Sequence, residues 1–420
     1  MSQAPDDRFH PCLLTREPAE RPQTLDEYRS EGGYQALEEV MRAHRPEWIL
    51  DRVDDSGLRG RGGASFPTGR KWRIAAAQPT GEKHVVANGG EHEPGSDKDK
   101  HLVRYYPHKV LEGLVLAGYA TGAHTGWLYL IEDMAPQLEA ARAAIAEMEA
   151  RGYLGRDVLG TGFSFEIRVH EAPPTYVAGE ETAALDSIEG GPGKPREKPP
   201  YPGQHGIGGR PTTVNNVETL AHVPNLLRHG AEWYRSQGTE HSRGTMLFTL
   251  PSGVRRPGVC EAPFGTTYRE LLERQGGGLE PGRELRALLP ALSCGFLRAE
   301  DLDVQICHEA LRELGTSPGC GGIHLVFADE DPVAKVCEIA AFFAREQCGQ
   351  CPPCRMVTSQ LAHVLGQVAA GQPGDFAAHL AKVAEFGRGK GRCSLIAMAT
   401  APVLSGVEVF RDDFVARAGG

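Results

Sequence analysis

The 420-residue chain has no apolar run of 18 residues, so no segment is long enough to cross a bilayer as a helix. It has no cationic surplus either. Lys and Arg number 45 against 55 Asp and Glu, and the formal net charge is −10. Nucleic acid is therefore excluded as an expected partner, because neutralising phosphates needs a basic face. The apolar core of a secretory signal is missing as well, since Met1 to Pro11 is polar and acidic. Neither an internal repeat nor a low-complexity segment occurs. These absences point to the cytoplasm, where ten cysteines read as thiols or metal ligands rather than structural disulfides.

What is present suits a packed protein of two to four domains, with 40% hydrophobic and 24% charged residues. The 52 Gly and 30 Pro cluster, which predicts long shaped loops on a rigid frame. Residues 1–50 read as an N-terminal helical cap, with one helical pattern from Leu25 to His44. Strand-like segments at Val85–Val86, Trp127–Ile131 and Phe163–Val169 alternate with helical ones at His108–Tyr119 and Pro136–Arg151. That alternation predicts α/β layering. Residues 171–219 are nearly free of periodicity. Met246–Leu250, Pro257–Cys260 and Ile323–Phe327 predict short strands around a helix at Tyr268–Gln275, and from Val333 onward the pattern is helical.

The helical stretch is broken by CGQCPPC, which spaces Cys348, Cys351 and Cys354 as C-x2-C-x2-C; Cys393 follows 39 residues later. Three neighbouring thiolates and one remote thiolate match the ligand set of a [4Fe–4S] cube. Structural zinc usually draws two ligands from each of two knuckles, and no His pair lies nearby to supply them. Cys12, Cys260, Cys294, Cys307, Cys320 and Cys337 are scattered singly and read as small buried side chains.

The stretch GRGGASFPTGRK (60–71) lacks both the G-x-G-x-x-G order of a dinucleotide fingerprint and the ending of a P-loop. Its small residues would let backbone N–H groups approach an anion, with charge from Arg61 and Lys71 and a flat face from Phe66; a tight structural turn is the other reading. TYVAGEETAAL (175–185) sets Glu180 and Glu181 at a helix start, where the macrodipole favours carboxylates. PTTVNNVETL (211–220) sets Asn215 and Asn216 in a loop entering a helix, to bond a ligand or to cap.

In order, GLRGRGGASFPTG, NGGEHEPGS followed by KD, YVAGEETAAL, GKPREKPPYP, PTTVNNVETLA and CGQCPPCR resemble the NADH-binding flavoprotein component of respiratory complex I. The same unit recurs in NAD-reducing hydrogenases and formate dehydrogenases. The resemblance runs from Ser56 to Cys393. It implies an α/β, Rossmann-like FMN-binding domain at 51–240, a ubiquitin-like β-grasp domain at 241–330 and a C-terminal four-helix bundle carrying the cluster at 331–420. FMN would be lined by Gly60, Arg61, Gly62, Gly63, Lys71, Asn88, Glu91, Tyr176, Gly179, Glu180, Glu181, Asn215, Asn216 and Thr219. NAD(H) would meet Phe66, Glu93, Glu181, Lys198 and Tyr201. Catalysis would then be hydride transfer to the flavin with no nucleophilic side chain, with Glu180 and Glu181 tuning its potential.

Departures from that pattern fall at Gly90, where the family has an Asp facing the flavin, at Ser65 in place of a glycine, and at Ile74 in place of a nucleotide-contacting aromatic ring. The resemblance implies an NADH dehydrogenase subunit; the departures keep open a flavin and iron–sulfur relay that does not use NADH. His92 reads as a solvated loop residue rather than a proton carrier. The expected partners are a small thioredoxin-like [2Fe–2S] subunit, whose domain is not found in the roughly 50 residues before the first loop, and a larger iron–sulfur subunit. The expected place is the cytoplasm, at the cytoplasmic face of a membrane complex.

Overall fold

A computed structural model describes residues 11–15, 21–79 and 81–419. Its frame is a four-stranded, wholly parallel sheet: β1 (His84–Asn88), β2 (Thr125–Ile131), β3 (Glu166–Ala172) and β4 (Thr212–Asn216), in the order β3-β2-β1-β4. β1 reads HVVAN because both faces of a central parallel strand are covered, which favours a short apolar run over alternation. The chain builds outward from β1 to β2 and β3, then returns to pair β4 on the other side of β1. The switch between β1 and β4 leaves a crevice at their carboxyl ends, the usual ligand position in an open parallel sheet.

Helix Pro107–Thr121 crosses the sheet beside helix Val217–His229 and is buried on nearly every side. Its largely apolar sequence, LEGLVLAGYA, in which the buried Glu112 accepts from Tyr28 and the backbone of Tyr34 and Leu37, fits a helix with almost no solvent face. The two helices approach so closely that a Cβ on Gly113 would lie 2.1 Å from the Leu220 carbonyl oxygen. Toward the N-terminus, the single helix expected over Leu25–His44 is two, Leu25–Ser30 and Gln35–Ala43. Gly32 and Tyr34 adopt left-handed backbone angles between them and end the first helix. A third helix, Pro46–Ser56, follows.

Beyond the sheet lies a β-rich unit of two small antiparallel sheets. One pairs β5 (Thr245–Leu250) with β6 (Gly258–Pro263). The other places β7 (Leu285–Leu289) between β8 (Leu297–Arg298) and β9 (His324–Phe327). Phe248, Tyr268, Leu288 and Phe327 lie in its shared core. The chain finishes as helices Pro332–Glu346, Pro352–Ala369, Phe376–Gly387 and Leu395–Val409, packed on one another around Phe343, Leu361 and Val403, with a short fifth helix, Arg411–Arg417. Among the described residues no helix is long and apolar enough to cross a membrane.

The helix crossing over the sheet sets a stability test. Gly113→Val should force the two backbones apart and lower the unfolding free energy by about 3 kcal/mol, read as a shift in denaturation midpoint. An unchanged midpoint would mean that the crossing is looser than described.

Candidate functional site

The crevice at the carboxyl ends of β1 and β4 gathers most of the residues singled out in the loops. Asn88 and Asn216 end those strands in register. The Asn88 side chain donates to the Gly179 carbonyl at 2.9 Å, and Asn216 donates to Asp99 at 2.6 Å and caps helix Val217–His229. Asn215 and Asn216 thus lie on a strand rather than in the expected loop. Thr212, Thr213 and Val214 are β-branched and suit a strand despite their polarity. The glycine-rich loop closes over this edge. A Cβ on Gly62 would sit 3.2 Å from that of Asn216, so the loop backbone passes tightly over this strand end. Ser65 keeps a left-handed φ of 53° in the position of a family glycine.

Charge in the crevice is arranged differently from the simple basic loop. The Arg61 side chain is buried and turns away from the crevice. Its guanidinium donates to the carbonyls of Arg59, Arg243 and Thr245 and to the Tyr234 hydroxyl, while its backbone N–H reaches Thr219 Oγ1 at 2.9 Å. Of the two cations expected to serve the loop, that leaves Lys71. Its Nζ meets the Val214 carbonyl at 3.0 Å and Glu181 at 3.3 Å. Lys198 bridges Glu180 at 2.8 Å and Glu181 at 3.2 Å. Burial pushes the Glu181 carboxyl up, but Lys71 and Lys198 more than offset it and hold the group below the usual range. Glu180 is the N-cap of helix Glu181–Ile188, accepting from the backbone of Thr182 and Ala183.

The loop after β1 carries two more of the expected residues, Glu91 and Glu93, with His92 between them. Glu91 is buried and accepts from Ser96 Oγ and from the backbone N–H of Asp99 and Lys100. Burial, then the neighbouring Asp99, push its carboxyl up to about 7. Glu93 accepts from the Tyr176 hydroxyl at 2.5 Å and from Ser293 Oγ at 2.9 Å. His92 is not the solvated residue expected. Its Nε2 is shut off from solvent without a partner among the described residues, its ring fills the space beside Gly90 and Gly179, and burial lowers it to about 4. A Cβ on Gly90 would lie 3.1 Å from that nitrogen and 2.9 Å from the Tyr129 ring, so the family's Asp side chain and this imidazole exclude each other here.

Apolar groups mark the mouth. Phe66 and Ile74 are 40% and 38% exposed, and Tyr201 is 56% exposed. Ile74 follows Lys71 on helix Thr68–Ala76, and Gly203, in the Tyr201 loop, packs on its side chain. One buried donor in the crevice, Asn215 Nδ2, has no partner among the described residues, although its Oδ1 accepts from Trp72. A polar ligand lying against the loop and β4 would satisfy it, which fits a flavin with its many acceptors.

A second cavity adjoins the first. Cys348, Cys351, Cys354 and Cys393 all line it, with Val177, Pro195, Leu395 and Ile396 as apolar walls. Among the described residues no three His, Cys, Asp or Glu side chains close on a single metal ion. Four thiols lining one cavity form the ligand set that a [4Fe–4S] cube needs. Cys337, as expected, packs on the preceding helix, its thiol toward the Leu365 carbonyl. Between crevice and cavity runs the turn Tyr176–Gly179. Tyr176 bonds Glu93, Val177 walls the cysteines, and the Gly179 carbonyl receives Asn88. Burial raises the Cys393 thiol, and the negative charge of Glu180 adds to the shift. Sequence reasoning missed Val177 and Pro195 as walls of the cysteine cavity. Their only signal was their place within or beside the two shaped loops.

Residues 53–225 match the family model of the Nuo51 FMN-binding domain, and residues 334–417 match the NADH-ubiquinone oxidoreductase-F iron-sulfur binding region. The F-type subunit of the Aquifex aeolicus NADH-quinone oxidoreductase is 40% identical over 362 residues, covering 86% of this chain and 83% of that protein. Its Escherichia coli counterpart is 37% identical over 412 residues, 97% of this chain and 92% of its own. The crystal structure of an NAD+-reducing [NiFe]-hydrogenase in the air-oxidized state superposes with a TM-score of 0.81 at 35% identity, covering 96% of this chain and 68% of that one. With the parallel-sheet crevice, the cysteine cavity and this similarity along most of its length, the chain belongs to the family of F-type NADH-quinone oxidoreductase subunits.

Proposed function

We propose that this chain oxidises NADH in the crevice and sends the electrons out through the cysteine cavity, as the electron-input subunit of a multisubunit NADH-quinone oxidoreductase. The observation that carries the reading is the turn Tyr176–Gly179, which touches both sites. Bound FMN takes the two electrons of a hydride together and releases them singly, and a [4Fe–4S] cluster accepts one at a time.

The chain's own residues then have distinct tasks. Gly60, Gly62 and Gly63 let the loop backbone approach the flavin phosphate, and Lys71 supplies the nearby charge. Asn88, Asn215, Asn216 and Thr219 present amides and a hydroxyl at the strand ends. Arg61 acts by pinning the loop, since its guanidinium is wholly taken up by carbonyls and Tyr234. Phe66 and Tyr201 offer exposed rings to the nucleotide, with Glu93 and Lys198 deeper in. Glu180 and Glu181, bridged by Lys198, would set carboxylates near a bound flavin and disfavour added negative charge on it. Cys348, Cys351, Cys354 and Cys393 hold the cluster. The neutral, buried His92 occupies the place of the missing carboxylate at Gly90 and holds the Gly179 turn against the loop.

We read residues 51–240 as the FMN domain with 1–50 as its cap, 241–330 as a β-grasp unit, and 331–420 as the four-helix cluster unit. A thioredoxin-like [2Fe–2S] subunit and a larger iron–sulfur subunit are the proposed neighbours, in a peripheral arm on the cytoplasmic face of the membrane. The relay reading without NADH gains no support from the crevice, whose mouth keeps the exposed Phe66 and Tyr201 rings.

Two variants test these assignments. Cys354→Ser should remove the cluster's iron, sulfide and spectroscopic signal while NADH still bleaches the flavin; a retained cubane signal would reassign the ligands. Glu180→Gln should raise the flavin midpoint by roughly 30 mV, about 1.4 kcal/mol for a two-electron couple, in an anaerobic redox titration. An unmoved midpoint would remove the tuning role.

A further inference from the structure

The cysteine cavity also has an outward side. There helices Pro352–Ala369 and Leu395–Val409 begin and helix Phe376–Gly387 ends. A Cβ on Gly387 would lie 2.7 Å from Val357 and 2.8 Å from Ile396, so the three helix ends meet tightly. Beside that contact Met356 and Phe386 emerge at 37% and 45% exposure. Gly349, in the cysteine loop, is exposed and has open space around it, and the Arg392 guanidinium donates to Gln350 across the mouth at 2.5 Å. The thiols thus approach the surface here, away from the flavin crevice.

Charge at this end runs against the rest of the chain. Arg345, Arg355, Arg388, Lys390 and Arg392 are all exposed. The neighbouring carboxylates, Glu346 and Glu385, are engaged by Arg345 and Arg388. Arg355, Lys390 and Arg392 have no carboxylate partner among the described residues, and the Lys390 ammonium lies 3.9 Å over the Phe386 ring. A protein of net charge −10 therefore carries a basic collar with two apolar side chains around its cysteine loop. An apolar patch rimmed by like charge is the composition of a recognition surface, and such a rim steers an oppositely charged partner while setting its orientation.

We propose that this collar is the docking surface for the protein that takes electrons from the cluster, and that the acceptor, an iron–sulfur protein, presents an acidic face to it. The proposal rests on the reading of the four cysteines as cluster ligands. It adds the sign of the partner's surface and the residues that select it. Arg388 and Lys390 are rim charges outside both sites, so they govern association and not flavin chemistry.

The test uses the FMN- and cluster-loaded protein with two probes, the acidic cytochrome b5 and the basic cytochrome c. Binding is measured with every protein oxidised, so the result does not depend on NADH use; bleaching of the flavin by NADH is recorded separately. The protein should bind cytochrome b5 in preference to cytochrome c, and this binding should weaken severalfold between about 50 mM and about 200 mM salt. The double variant Arg388→Glu/Lys390→Glu should weaken it about tenfold and slow cytochrome b5 reduction to match. Arg388→Lys/Lys390→Arg should behave as the parent, and flavin bleaching should be the same in all three. Binding indifferent to charge reversal, preference for cytochrome c, or a salt-dissociable dimer of this chain formed through the collar would each overturn the proposal. If the reversed protein loses its iron, the salt dependence of the parent decides, and its absence overturns the proposal too.

Discussion

The hydrogen bond from the Tyr176 hydroxyl to Glu93 joins the three structural units of this protein at one point. Glu93 belongs to the loop after β1 and also receives Ser293 of the β-rich unit, at the backbone N–H and the hydroxyl. The Tyr176 ring stands edge-on to Phe342 and Phe343 of the first C-terminal helix, with centroids 5.2 and 5.8 Å away. A buried carboxylate is costly unless its acceptors are filled, and burial does push the Glu93 carboxyl up. Three donors from two other segments meet that cost, and they fix the turn Tyr176–Gly179 between crevice and cysteines.

From that constraint the division of labour follows. The sheet's change of direction opens a crevice beside β1 and β4, and the loops that fill it come from strand ends on a rigid frame. The cysteines come from helix ends, where the chain can bring a triplet and a distant fourth thiol around one space. Because the turn Tyr176–Gly179 touches both sites, relative motion of the two would break its contacts. Gln350 adds a tie, its side-chain amide donating to the Pro195 carbonyl at 3.0 Å. The geometry favours fixed distance over hinged delivery, as electron transfer between cofactors requires.

Much of this is legible in the amino-acid sequence. The cysteine spacing points to the cluster ligands, since only thiolates in that pattern have so narrow a set of uses. Helices with strong apolar patterns stand out nearly whole, as at Pro107–Thr121 and Ala135–Ala150. β4 does not, because TTVNN alternates no apolar face: it is buried against loops and helices that sequence cannot supply. The pattern sets β3 about three residues early, because Phe163 and Phe165 are aromatic yet precede the strand and pack beneath the end of helix Pro107–Thr121. The role of Arg61 is hidden for a different reason. A cation in a glycine-rich loop looks like a phosphate ligand, and only tertiary contacts reveal carbonyls around it. His92 is similar, because its burial depends on Gly90 leaving room.

The central claim is that the crevice and the cysteine cavity form one electron path. The direct measurement mixes the cofactor-loaded protein with NADH without air, freezes it at intervals of milliseconds, and records flavin absorbance and the paramagnetic signal of the reduced cluster together. The account predicts that the cluster signal rises as the flavin is reoxidised from its bleached state, with no lag attributable to a second protein. Bleached flavin beside a cluster that stays oxidised until another protein is added would contradict it.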